Sequence, residues 1–206
     1  MEKILYLPIN IPTLLPVGSA RCFLFLGGYM SKYVLIGIPA TGKSTIGKRA
    51  AEILKMPFYN TDEMACERMT PEQQMRLLSL SGVERFEREQ YAIIVELAKL
   101  DKPAIIEVWP ESALIPEHIK VIKKIGTIIY IKRDIESALA QVRKRKNRMF
   151  MQGLNTGHKI DMQAEAVKLY AKEISHYEAL ADMTLNNNGS EREAVEKLVA
   201  MIREHR

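Results

Sequence analysis

Gly37-Ile38-Pro39-Ala40-Thr41-Gly42-Lys43-Ser44 fits the pattern G-x-x-x-x-G-K-[ST]. Gly37 and Gly42 let backbone N–H groups converge on phosphate oxygens, and a helix opening behind them adds partial positive charge at its N-terminus. Lys43 is placed to reach the β- and γ-phosphates, and the Ser44 hydroxyl to hold Mg²⁺. Ala40, Thr41 and Thr45 complete the loop's contacts to the nucleotide. The Lys43 side chain is expected to be solvated while the loop is empty. The chemistry this predicts is binding of ATP with Mg²⁺.

Three carboxylates and a basic run are the next candidates. Asp62 can orient an acceptor hydroxyl, accept its proton or hold water around Mg²⁺; the competing role is the cap of a following helix. Glu107 stands in the apolar run Ala104-Ile105-Ile106-Glu107-Val108, where a buried carboxylate must be paired. A magnesium-water role and a structural pairing fit it equally. Asp134 reads as a helix cap. Arg143-Lys144-Arg145-Lys146-Asn147-Arg148 holds five bases in six positions. Arg148 and Arg143 are the expected lid arginines, closing over the γ-phosphoryl group to stabilise its charge and exclude water. A basic surface loop is the alternative. No aromatic stacking platform accompanies the run, so no nucleic-acid partner is expected.

The elements that must position these groups alternate strand and helix. Tyr33-Val34-Leu35-Ile36 reads as a buried strand entering the glycine loop, and Thr45 to Lys55 as the helix leaving it. Pro57-Phe58-Tyr59 is a second strand, ending at Asn60-Thr61-Asp62. Thr70 and Pro71 open a short helix through Leu80. Gly82 is expected to reset the chain before a long helix carrying Phe86, Ile93, Ile94, Leu97 and Leu100. Ala104 to Val108 and Thr127 to Ile131 are strands too uniformly apolar for a one-sided sheet, which argues for parallel pairing covered on two faces. A helix from Asp134 towards Arg143, a polar stretch, a helix over 162–180, a strand at 183–185 and a helix over 191–202 follow. The expected fold is a three-layer α/β/α sandwich with a parallel sheet. In such sheets ligands sit at the carboxyl ends of the strands, where Asp62, Glu107 and Asp134 all fall.

These motifs in this order resemble the shikimate kinase family, P-loop kinases of the nucleoside-monophosphate-kinase fold. The resemblance covers roughly Ser31 to Arg203. It rests on Leu35-Ile36-Gly37 into Lys43-Ser44-Thr45-Ile46-Gly47, on Pro57 to Asp62, on Gly82-Val83-Glu84-Arg85-Phe86, on Tyr130-Ile131 with the Arg148 lid, and on Tyr177 to Asp182. It implies that Gly42, Lys43, Ser44 and Thr45 bind ATP and Mg²⁺, that Asp62 faces the acceptor hydroxyl, that Arg148 is the lid arginine, and that Arg143 stacks on adenine, within a residue or two. The departures gather in the acceptor site. Asn60-Thr61-Asp62 stands where the family has Asp-x-Asp. Glu87 and Glu173 stand where it has arginines, and Val108-Trp109-Pro110 where it has three glycines. Glu87, Trp109 and Glu173 are therefore the expected acceptor-binding residues beside Asp62. The implied activity is a kinase acting on a hydroxyl of a small metabolite other than shikimate; true shikimate kinase activity and a nucleotide-binding regulator without turnover are the alternatives.

The rest of the sequence fits a compact enzyme. Its 206 residues with an apolar share of 47% suit a single domain over 30–206, with a lid at about 144–160. Net charge is +5, concentrated in the basic run. The two cysteines have no metal or redox spacing, so a reducing cytoplasm is expected. Residues 1–29 are apolar and interrupted by Pro8, Pro12 and Pro16, a poor membrane span. They read as a disordered extension or a misassigned start at Met30, Gly27-Gly28 being codable as a ribosome-binding sequence; a targeting or docking tail is the alternative. A monomer without membrane attachment is favoured.

Overall fold

The protein's structure is a computed structural model that describes residues 31–75, 77, 79–144 and 162–205. The extension over 1–29, Arg148, the lid beyond Lys144 and the side chain of Arg143 lie outside the described residues.

The strands are β1 (Lys32–Ile36), β2 (Phe58–Asn60), β3 (Ala104–Glu107), β4 (Thr127–Lys132) and β5 (Met183–Asn186). They form one parallel sheet in the order β2-β3-β1-β4-β5. Helices α1 (Lys43–Leu54), α2 (Thr61–Glu67), α3 (Pro71–Met75), α4 (Leu80–Ala98), α5 (Pro116–Ile125), α6 (Ile135–Lys144), α7 (Met162–Leu180) and α8 (Glu191–Glu204) connect and cover the strands. A 3₁₀ turn, Pro110–Ala113, follows β3.

Alternate strand residues build two cores, as the period of two requires. Val34, Ile36, Ile106 and Tyr130 pack against α4, α5 and α7 on one face. Tyr33, Leu35, Ile105, Ile129 and Ile131 pack against α1 and α8 on the other. The expected three-layer α/β/α sandwich is the fold observed. The chain leaves β1 towards β2 on one side and returns past β1 to β4 on the other. That reversal opens a crevice at the carboxyl end of β1, beneath the glycine loop.

Two expected boundaries are corrected. The helix opened by Thr70 and Pro71 ends at Met75 instead of Leu80. Gly82 lies inside the first turn of α4, because Ser79 caps that helix by accepting from the Gly82 N–H at 3.2 Å. At its other end α4 is held by Lys32, whose buried ammonium donates to Ala98 O at 2.7 Å and Leu100 O at 2.8 Å. A cation there satisfies carbonyls the helix leaves open and complements its dipole. Among the described residues no helix is long and apolar enough to cross a membrane.

Candidate active site

The loop between β1 and α1 is held in a conformation few sequences can adopt. Ala40 (φ 61°) and Gly42 (φ 93°) are left-handed, and Gly37 has φ 142°. A Cβ on Gly37 would come 2.7 Å from Ile131 O, and one on Gly42 would come 2.6 Å from Asn187 Nδ2. α1 has no side-chain cap and no acid in its first turn. Its first N–H groups and its positive dipole end are left for an anion. Thr41 serves the loop itself: its hydroxyl donates to Ile38 O at 3.1 Å and its carbonyl accepts from Asn187 Nδ2 at 2.6 Å.

Lys43 departs from expectation. It is 4% exposed, and its ammonium donates to Gly37 O at 2.7 Å and Ile38 O at 3.0 Å. Loop carbonyls replace its water. Burial lowers its pKa, while Glu107, Asp62, Glu111 and Glu173 pull it back up. The expectation of a solvated lysine is therefore wrong.

Beside the loop lies a cavity of about 250 Å³, lined by Ala40, Gly42, Thr45, Arg133, Gln141 and Asn187 among others. Among the described residues, the buried Nε of Arg133 has no hydrogen-bond partner. Gln141, two positions before Arg143, is the α6 residue that reaches this cavity. A phosphate loop opening onto a polar cavity fits a nucleotide.

On the other side of Lys43, strand register sets Asn60 opposite Glu107. Glu107 is 8% exposed and both its oxygens are held: Ser44 Oγ donates to Oε1 at 3.0 Å and Asn60 Nδ2 to Oε2 at 3.0 Å. Burial raises its pKa, opposed by Lys43 and the Ser44 bond. Ser44 and Glu107 are hard oxygen donors beside the phosphate loop, and they suit Mg²⁺, which takes its remaining oxygens from phosphate and water. Asn60 has a second task. Its Oδ1 accepts from the Asp62 and Glu63 N–H groups at 2.9 and 3.2 Å, so the cap of α2 is Asn60 and not Asp62. Asp134 stands at the start of α6 with its carboxylate bonded to Asn188 Nδ2 at 2.8 Å, away from this group.

Asp62 is thereby freed, and its Oδ1 accepts from Gln90 Nε2 at 2.9 Å. Burial, then the charge of Glu107, pushes its carboxyl up to about 7. Trp109 donates its backbone N–H to Thr61 Oγ1 at 3.0 Å and meets the Phe86 ring edge-on at 5.3 Å. The 3₁₀ turn behind Trp109 carries Glu111, which burial pushes up to about 7, with Glu173 adding to the effect. The Tyr177 hydroxyl lies 3.2 Å from Pro110 O and 3.4 Å from Glu173 Oε2, tying Glu173 on α7 to the same turn.

Glu111 thus acts electrostatically on both Asp62 and Glu173, and Trp109 is bonded to Thr61 beside Asp62. Glu87 does not join that group; its charge acts on His118 of α5. Sequence reasoning missed Glu111 and Gln90. The signal for Glu111 was available, because it follows a strand's carboxyl end as Asp62 does.

The shikimate kinase family model matches residues 39–203. This chain belongs to the shikimate kinase family. A shikimate kinase of Bartonella henselae is 26% identical over 197 residues, 95% of this chain and 89% of that one. The shikimate kinase of Acinetobacter baumannii, solved in complex with shikimate, superposes with a TM-score of 0.68 at 18% identity, covering 86% of this chain and 95% of that one. A gluconokinase from Sinorhizobium meliloti superposes with a TM-score of 0.55 at 20% identity, covering 85% and 93%. At such identities the structural likeness is one of fold. Within the shikimate kinase family this chain is a P-loop kinase relative whose sheet, phosphate loop and element order follow the family fold.

Proposed function

We propose that the protein is an ATP-dependent kinase that moves the γ-phosphoryl group of ATP onto a hydroxyl of a small metabolite other than shikimate. One contrast carries this reading. Among the described residues the phosphate side carries Lys43, Ser44 and Glu107, whereas the side assigned to the acceptor carries Asp62, Glu111 and Glu173. An anionic acceptor entering there meets like charge.

The nucleotide's phosphates take the loop N–H groups and the start of α1, while its base and sugar take the cavity beside Arg133 and Gln141. Lys43 exchanges the carbonyls of Gly37 and Ile38 for β- and γ-phosphate oxygens. Ser44 and Glu107 would hold Mg²⁺, which would neutralise the charge developing on the transferred group. Asp62, aligned by Gln90, takes the proton of the attacking hydroxyl. A carboxyl near 7 is basic enough for this and still ionised in useful fraction at neutral pH. The bond formed joins the acceptor oxygen to the γ-phosphorus. The bond broken joins that phosphorus to the β,γ-bridging oxygen, which leaves on ADP with the electron pair. The proton passes from Asp62 to solvent.

The second reading is shikimate kinase itself, favoured by the curated relatives of that name. ADP release and mass spectrometry of products, with ATP, Mg²⁺ and either shikimate or a panel of neutral and cationic hydroxy compounds, separate the two. Like-charge juxtaposition costs several kcal/mol at about 1.4 kcal/mol per tenfold, so shikimate should be at least about a hundredfold poorer in kcat/KM than the true acceptor. Efficient phosphorylation of shikimate refutes the proposal.

A further inference from the structure

We infer that the acceptor is a small hydroxylated amine, held as its ammonium ion by Glu111 and Glu173 with the reacting hydroxyl at Asp62. This rests on the kinase reading and names the substrate class of the same site.

The first observation is a charge imbalance. Asp62, Glu111 and Glu173 share one cation among the described residues that act on them, Lys43. That cation belongs to the phosphates once ATP is bound. Among the described residues no other cation acts on these three carboxylates. Burial already pushes Asp62 and Glu111 up to about 7, the mark of carboxyls lacking a full ionic partner.

The second observation is independent of charge. Gln90 is 0% exposed and spends its Nε2 on Asp62, yet among the described residues its Oε1 has no hydrogen-bond partner. Glu111 Oε2 is likewise shielded from solvent and without a partner. A buried acceptor left unmade costs about 1–3 kcal/mol, so both await a donor. An ammonium ion offers three donors and no acceptor. A carboxylate offers only acceptors, and a neutral polyol leaves the charge uncompensated. Arg85 on α4 also has an unpartnered Nε, but it is not among the charges acting on the three carboxylates.

The wall that carries these groups is built. The Thr61–Trp109 bond fixes the turn bearing Glu111 to the start of α2, which bears Asp62. The Tyr177 hydroxyl fixes the same turn to Glu173. The carboxylates are therefore held by three different elements at one end of the sheet, and a flexible surface cluster would lack such ties.

The test compares acceptors that share a skeleton: 3-amino-1,2-propanediol, glycerol and glycerate, and an aminocyclitol, its cyclitol and shikimate. ADP release and product mass are read with the full chain, ATP and Mg²⁺. The charge-assisted hydrogen bonds that only the ammonium can donate should favour the amine over its neutral counterpart by about tenfold or more in kcat/KM. Glu111→Gln and Glu173→Gln should each raise the KM of the amine and shrink that ratio, with thermal unfolding in the presence of an ATP analogue confirming a folded protein. Equal or better turnover of the polyols or acids, or an unchanged ratio in both variants, overturns this inference and leaves the kinase reading standing. ATP binding with no turnover of any acceptor overturns both.

Discussion

Asp62→Asn should make the unliganded protein more stable above pH 7 while lowering its turnover. In the unfolded chain this carboxyl ionises at its ordinary 3.8; in the folded protein burial and the charge of Glu107 push it up to about 7. Between those values the folded state keeps a proton that the unfolded state has lost. Stability therefore falls as pH rises through that window, and the whole loss is present above the folded value. About three pKa units at ~1.4 kcal/mol each give a cost of about 4 kcal/mol. Asparagine keeps the size and an oxygen for Gln90, and it carries no charge to bury. The attraction of Lys43 is already part of that value. A stabilisation of up to about 4 kcal/mol at pH 8 follows, or a rise in Tm of up to about 8–16 °C for a domain of this size. At pH 4.5 the folded wild-type carboxyl is neutral but the unfolded one is mostly ionised, so about 1 kcal/mol of the difference is already present and the gap in Tm should shrink to about 2–4 °C. Thermal unfolding followed by circular dichroism at both pH values measures this, with ADP release run beside it. A variant less stable at pH 8, or one shifted equally at both pH values, would show that Asp62 is comfortably ionised in the fold and would refute the reasoning.

Lys43→Ala should reduce turnover by about a hundredfold or more, as the loss of a transition-state charge contact does. It should also destabilise the fold by about 1–3 kcal/mol, because the ammonium's bonds to Gly37 O and Ile38 O are lost and nearby carboxylates lose their cation; urea unfolding that matches wild type would refute this. Glu107→Gln should raise the Mg²⁺ concentration needed for half-maximal turnover by about tenfold, one charge-assisted contact, with a parallel change in Mg²⁺-dependent binding of a fluorescent ATP analogue; an unchanged Mg²⁺ requirement would leave Glu107 a purely structural partner of Ser44 and Asn60. Asn60→Ala should cost about 1 kcal/mol through the lost α2 cap, and no shift in the urea midpoint would mean that the cap contributes nothing.

The phosphate loop was legible because its chemistry is local. Gly37, Gly42, Lys43 and Ser44 act through backbone angles and a helix start set by adjacent residues, so spacing along the chain is enough to find them. The parallel sheet was legible for a similar reason, since β3 and β4 are apolar on both faces. Locality also explains the misplaced start of α4, where Gly82 looked like a break although Ser79 three residues earlier supplied the cap.

The state of Lys43 was not legible, because burial depends on carbonyls and carboxylates gathered from several segments. Which residue caps α2 was left open for the same reason. Asn60 and Asp62 are both good caps by type, and only the bond from Gln90 on α4 to Asp62 and the pairing of Asn60 with Glu107 tell them apart.

Sequence alone was enough for a nucleotide-binding α/β fold of the shikimate kinase kind, since each of its signals is carried by neighbours along the chain. The charge of the proposed acceptor side depended on tertiary structure. Asp62, Glu111 and Glu173 lie on separate elements, and parallel register, a Thr61–Trp109 bond and the Tyr177 hydroxyl bring those elements to the same end of the sheet. Long-range pairing leaves no period in the sequence, and electrostatic fields depend on distance through space.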